Sequence, residues 1–109
     1  SAWSIDIWLV DNLIPMLERL KNNKHGTPMS MFRKKDGVDK DGNSTDEAHR
    51  LAEQRWDNVL NEIIYGLKCA KKIEDSDYDY EDKELTKRLT KSSQRSFELI
   101  GKHLFSLWD

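Results

Sequence analysis

"STDEAHRLAEQRWDNVLNEIIYGLKCAKKI", Ser44 to Ile73, decides the fold. Ala48, Ala52, Trp56, Leu60, Ile63, Leu67 and Ala70 recur at three- and four-residue spacing for about seven turns, the period at which one face of an α-helix is buried. Lys68, Lys71 and Lys72 close the segment, where the negative end of a helix dipole favours cations. At its start Ser44-Thr45-Asp46-Glu47 reads as a capping box, with the Ser44 hydroxyl and the Glu47 carboxylate taking up free N–H groups of the first turn. The helix is therefore placed from Thr45 to about Ile73.

The residues just before it, "DGVDKDGNSTDE" from Asp36 to Glu47, contain Asp-x-Asp-Gly and raise the question of a calcium loop. An EF-hand loop needs Gly at its sixth position and a bidentate Glu at its twelfth to close the oxygen cage. With Gly42 at the sixth, Asp39 and Asp41 fall correctly on the third and fifth, but the first ligand is Gly37 and the twelfth is Ala48. The calcium reading is rejected, and no metal is assigned.

Toward the C-terminus, the acidic link "EDSDYDYED", Glu74 to Asp82, suits the positive start of another helix. That helix is expected to run to the end through Leu85, Leu89, Phe97, Ile100, Leu104 and Trp108. Folded back across so short a link, it lies antiparallel to the central one. The pairing expected is Leu67 with Leu85, Ile63 with Leu89, Trp56 with Phe97, Ala52 with Ile100 and Ala48 with Leu104. Ser92, Ser93 and Ser96 interrupt the apolar line opposite Leu60 and Trp56. They read as small residues that make room for the indole and bond back to their own helix, with a small polar-lined pocket as the alternative.

Toward the N-terminus, Ser4 is the expected cap of a first helix, with Trp3 and Trp8 as a hydrophobic staple and Leu9, Leu13, Met16, Leu17 and Leu20 as its buried face. Pro15 removes the hydrogen bond to the Asp11 carbonyl, which predicts a kink or break near Asp11-Asn12. Gly26 and Pro28 end the helix. Residues 27–43 form a long charged connection, "TPMSMF" making one apolar turn and "RKKDGVDKDGN" a mobile, glycine-punctuated excursion. The expected architecture is all-α: one helical domain over residues 1–109, a three-helix antiparallel bundle, or four helices if Pro15 divides the first. The long connection leaves the direction of helix one open.

Composition agrees. The chain has 109 residues, enough for a single core, with 35% charged and 37% hydrophobic residues including four Trp that need burial. A net charge of −2 gives no electrostatic reason to expect nucleic acid or an anionic membrane as partner. Cys69 is the sole cysteine, so no intrachain disulfide and no cysteine-based zinc site can form, and a reducing cytoplasm is the natural compartment. No leader or membrane span is expected.

No catalytic constellation emerges. His25, His49 and His103 each lack a second His three or four residues away, and Asp46-x-x-His49 is only half of a bundle di-iron motif. His25 reads more simply as a cation at a helix end. Acid pairs such as Asp57/Glu62 and Glu81/Glu84 bring to mind the magnesium-binding helices of all-α nucleotide pyrophosphohydrolases, but only Glu81/Glu84 has the Glu-x-x-Glu spacing, and no second pair faces it. Lys87, Lys91 and Arg95, with Arg88 and Lys102 near them, form a basic line that could track phosphates, but no aromatic or glycine motif of a nucleic-acid fold accompanies it and it reads as solvent face. Cys69 sits near a helix end whose dipole opposes a thiolate. No cofactor is implied.

Three stretches together, "WSIDIWLVDNLIPMLERL" leading to His-Gly-x-Pro, "AEQRWDNVLNEIIYGL", and "SFELIGKHLFSLWD", carry a resemblance. The chain resembles a group of small, uncharacterised bacteriophage proteins with a Trp- and Pro-containing first helix, a Trp-Asp central helix and a Leu-Trp-Asp terminus. The family brings no established activity. It implies action in the cytoplasm of a bacterial host, and a non-enzymatic accessory protein that binds a host protein or a small signalling molecule. The alternatives are a magnesium-dependent nucleotide hydrolase and a virion structural or assembly component. By position the resemblance points at His25, Gly26, Pro28, Trp56, Asp57 and Trp108 as binding residues, and the acid pairing adds Glu62. Homo-oligomerisation is also expected, because Trp3, Trp8, Phe105 and Trp108 crowd the ends of a thin molecule.

Overall fold

In the computed structural model the central segment forms a 29-residue helix, and everything else is arranged against it. The structure describes residues 2–23, 26–41 and 43–107, with the backbone alone for 2–7. The elements are α1 (Ala2–Asn22), two 3₁₀ turns (Met29–Met31 and Lys34–Asp36), α2 (Asp46–Glu74), α3 (Lys83–Lys102) and α4 (Leu104–Leu107). Among the described residues there is no strand, only a single antiparallel bridge between Val38 and Ser44. The fold is all-α, and no described helix is long and apolar enough to cross a membrane.

The start of α2 differs from the capping-box expectation by one residue. Thr45 is the cap, its side chain accepting from the Ala48 N–H at 3.1 Å. Glu47 instead turns forward to form two hydrogen bonds with Arg50, and the Ser44 hydroxyl bonds His49 Nε2 at 2.7 Å. A forked guanidinium one turn ahead is a stronger partner for the Glu47 carboxylate than a lone backbone N–H.

α1 begins at Ala2, so Ser4 lies inside the helix and not at its cap; the Trp3 side chain falls outside the described residues. Nor does Pro15 divide α1, which is continuous on both sides of it. Contacts to α2 straddle the proline: Asp11 pairs with Lys71 at 2.9 Å and Glu18 with Lys68 at 3.1 Å. Between them Val10 and Leu17 are buried, with Leu13 and Ile14 packed alongside. Those pairs also settle the direction of α1, since its numbers rise as those of α2 fall. The fourth helix arises elsewhere: α3 stops at Lys102, and the His103 carbonyl accepts from Ser106 and Leu107 to start a final short turn.

α2 and α3 are antiparallel, at a register the apolar pattern did not give. The Ile63 carbonyl accepts from the Ser96 hydroxyl at 2.7 Å, where Leu89 was expected, a displacement of seven residues or about two turns. Trp56 meets the His103 ring edge-on at 5.7 Å, while Phe97, its expected partner, is 42% exposed. The register follows from where the link turns: α2 continues to Glu74 and α3 waits until Lys83, capped by the Asp82 carboxylate on the Leu85 N–H. Matching Leu67 to Leu85 would strand the last two turns of α2.

The serines consequently have a different role from the one expected. A Cβ placed on Gly66 would lie 2.3 Å from the Ser92 carbonyl oxygen and 2.4 Å from the Ser96 Cβ. They make room for the other helix's backbone, not for the indole, and Ser96 bonds across to α2. Trp56, Leu60, Ile63 and Leu67 are buried on either side of this crossing and form the core with Val10, Leu17 and Leu99.

The 27–43 connection is held at several points: Met31 is buried in the core, the Phe32 ring meets His49 edge-on at 5.1 Å, and Thr45 donates to the Asp36 and Gly37 carbonyls. Arg55 of α2 donates to the Met31 carbonyl at 2.9 Å and to the Asp36 carboxylate at 2.5 Å, and that carboxylate is only 9% exposed. Further on, Gly37 takes φ +107°, where a side chain would be strained and would meet Thr45. Asp39 accepts from the Asp41 and Asn43 N–H groups, both at 2.9 Å, so its carboxylate closes the loop on itself.

Two glycines in helices should respond oppositely to alanine. Gly66→Ala is expected to lower stability by at least about 1–3 kcal/mol through overpacking, whereas Gly101→Ala, with nothing within 4 Å, should raise it by up to about 1 kcal/mol. Urea unfolding of both variants checks the pair. Arg55→Ala should expose the connection, seen as faster tryptic cleavage after Lys34 and Lys35 and faster amide exchange over 31–38, with α2 and α3 still protected.

Candidate functional site

α3 carries Lys83, Lys87, Arg88, Lys91, Arg95 and Lys102 against Glu84 and Glu98, a basic helix in an acidic chain. Arg88, Lys91 and Arg95 are spaced three and four apart, so they share one side of α3. That side borders α2 at Glu62 and Tyr65. Together with Ser92 these six residues line an open groove of about 410 Å³. The floor is narrow because Gly66, next to Tyr65, admits the α3 backbone at Ser92; the long side chains stand on the two lips.

Charge is loosely compensated here. Arg95 lies 3.4 Å from the Glu62 carboxylate and 3.5 Å from that of Glu98, with all three about half exposed or more, and such pairs contribute little in water. Among the described residues, neither Arg88 nor Lys91 has an ion-pair partner. The Tyr65 ring is 60% exposed. The neighbouring buried Cys69 thiol holds the Tyr65 phenol above its ordinary range; Arg88 pulls the other way.

Of the residues expected from the sequence, the groove receives Glu62 alone. Asp57 is half-buried with one carboxylate oxygen enclosed, and five residues of helix place it about 140° around α2 from Glu62. Trp56 belongs to the core. Gly26 is exposed with open space around it, and half-buried Pro28 precedes the first 3₁₀ turn, so both serve the connection. His25 and Trp108 lie outside the described residues. Tyr65, Arg88, Lys91, Ser92 and Arg95 were not singled out as a site. The basic line on α3 is the available signal; it reads as solvent face because no aromatic or glycine motif of a nucleic-acid fold accompanies it in the sequence.

Among the described residues no three His, Cys, Asp or Glu side chains gather to hold a metal ion. Acids at the α3 entrance are occupied by the backbone: Asp79 accepts from the Glu81 N–H and Asp82 caps the helix. On the other side of α3, a thin apolar seam separates it from α1. One hollow of about 60 Å³ there is lined by Leu13, Met16, Leu17, Leu20, Ile100, Leu104 and Leu107, and a second of about 340 Å³ by Val10, Ala70, Ile73, Glu74, Ser93 and Phe97.

With the geometry in place, comparison with known proteins adds nothing to it: no family model, curated protein or solved structure matches the chain.

The cationic side of α3 also acts on the interior. His103 is buried against Trp56, and its pKa is lowered first by that burial and then by Lys102 and Arg95. A neutral imidazole is therefore the folded form. Above the unfolded value near 6.5 both states are neutral and stability is complete; as pH falls through it, the unfolded chain takes a proton that the folded one refuses, and stability declines until the lowered folded value is passed. His103→Gln should flatten the difference in urea midpoint between about pH 7.5 and about pH 5.5 relative to the parent.

Proposed function

We propose that this chain is a non-enzymatic accessory protein of the bacteriophage kind its sequence resembles, and that it captures a small anionic signalling molecule in the host cytoplasm. The observation that supports this reading best is the grouping of Arg88, Lys91 and Arg95 along one groove in a chain of net charge −2. The scaffold is read as a three-helix antiparallel bundle with the charged 27–43 connection held off to the side of the groove. Its volume lies at the lower end of the range for small-ligand sites, roughly 300–1,000 Å³. Guanidinium groups recognise phosphate and carboxylate through paired N–H donors, and two that lack strong partners have little to give up on binding.

A second reading has its own support. Met16, Phe97 and Leu104 are partly exposed along the α1–α3 seam, which suits self-association or docking on a host protein. Light scattering on the purified chain distinguishes a monomer from a homo-oligomer.

Titration with inorganic pyrophosphate by calorimetry tests the anion reading. Binding is expected at low salt and should weaken as salt rises. Arg88→Ala and Arg95→Ala should each lower affinity by about tenfold or more, as loss of a charge-assisted hydrogen bond implies, with helix content unchanged. No heat of binding at low salt would remove the groove as an anion site.

A further inference from the structure

Resting on that anion reading, we propose that the ligand of the α2–α3 groove is a nucleoside diphosphate, its base stacked on the Tyr65 ring and its phosphates on Lys91, Arg95 and Arg88. Among the described residues Tyr65 is the one aromatic side chain lining the groove, and it is a wet one. A phenol ring left open beside cations is a stacking platform: every base has a π-face, and a neighbouring guanidinium plane can cover a base from another side. Arg88 is that neighbour, standing on the facing lip of the same groove.

Charge favours the same assignment. Tyr65 stands one turn before the buried Cys69, whose thiol raises the phenol's pKa, and a phenol kept protonated brings no negative charge toward an anion. Antiparallel packing fixes the levels. Tyr65 adjoins Gly66, which faces Ser92, so the ring stands near mid-height between Arg88 and Arg95, about 10 Å apart along α3. A base at that height can send a phosphate tail along the α3 lip. A terminal phosphate carries about −1.5 to −2, and one further phosphate brings the total close to the three cations available.

Glu62 has a place in this arrangement. It is the acidic group lining the groove, and its carboxylate can accept from ribose hydroxyls or a base amino group. Its long 3.4 Å contact holds Arg95 at the groove until a phosphate displaces it. A simple inorganic anion would leave both Glu62 and the Tyr65 ring without a role.

The test compares adenosine diphosphate, ribose 5-phosphate and inorganic pyrophosphate by calorimetry on the full chain. Adenosine diphosphate should bind about tenfold or more tighter than pyrophosphate, in keeping with the worth of one base–aromatic stack, and ribose 5-phosphate no better than pyrophosphate. Tyr65→Leu should erase the advantage of the nucleotide while leaving pyrophosphate binding intact, and Tyr65→Phe should keep it. Independently of any variant, the adenine H2 and H8 resonances should move upfield on binding the parent protein. Equal affinities for nucleotide and pyrophosphate, an advantage that survives Tyr65→Leu, or unmoved adenine resonances would overturn the nucleotide assignment and leave the anion site standing. If neither pyrophosphate nor nucleotide binds, both readings fall.

Discussion

At Gly66 two helix backbones come close enough that a single methyl group would collide with the Ser92 carbonyl, and one turn away the Ser96 hydroxyl reaches the Ile63 carbonyl of the opposite helix. Close approach of this kind is possible only where small residues meet, and it fixes both spacing and register because no neighbouring level offers the same gap. Core side chains on each side, Trp56 and Leu60 toward one end and Leu67 toward the other, fill the space that the crossing defines. A buried hydroxyl that satisfies a carbonyl across the interface adds a directional bond to a contact that dispersion alone would leave free to slide.

The groove is a by-product of the same contact. Because α3 sits hard against α2 at Gly66, the longer residues beside the contact cannot interdigitate and stand out along its edge: Tyr65 and Glu62 on one lip, Arg88, Lys91 and Arg95 on the other. Local sequence, helix crossing and chemistry are thus joined by one small residue. α1 contributes differently: it covers the remaining face of α2 through the buried Val10 and Leu17, with half-exposed ion pairs flanking the contact on both sides of Pro15, and it touches α3 only across an incompletely filled seam.

Much of this was legible in the residues. The seven-turn apolar period of α2, the acidic turn before α3 and the buried central tryptophan all follow from spacing, since a helix converts sequence distance directly into direction. What periodicity cannot supply is phase between two helices. Leu89 and Ser96 lie two turns apart on the same face, and either could face Ile63 as far as the pattern is concerned; steric fit at Gly66 decides, and glycine leaves no mark in a hydrophobic count. Hence Tyr65 was not seen to share a groove with the basic line, and Glu62 and Asp57 were grouped although they point in different directions. α1 runs unbroken through Pro15 because a lost intrahelical bond is a local cost, and packing on α2 is a larger, non-local gain. The capping residue, one position from that expected, reflects competition for the Glu47 carboxylate that only the Arg50 rotamer reveals.

The grip of Arg55 on Met31 and Asp36 divides the path between α1 and α2 into two parts of unlike character. From Pro28 to Asp36 the chain is measured: a residue added there would pull an acceptor away from the guanidinium and leave a charge without its partner. From Val38 to Ser44 it is a hairpin-like tip tied to itself and, through the Ser44 hydroxyl, to His49, and extra length at its end costs just the slow logarithmic entropy of a longer ring. The molecule therefore contains a natural insertion point beside Lys40 and Asp41, remote in sequence from every residue of the groove, where a reporter or a fused peptide could be carried without disturbing the helices beneath.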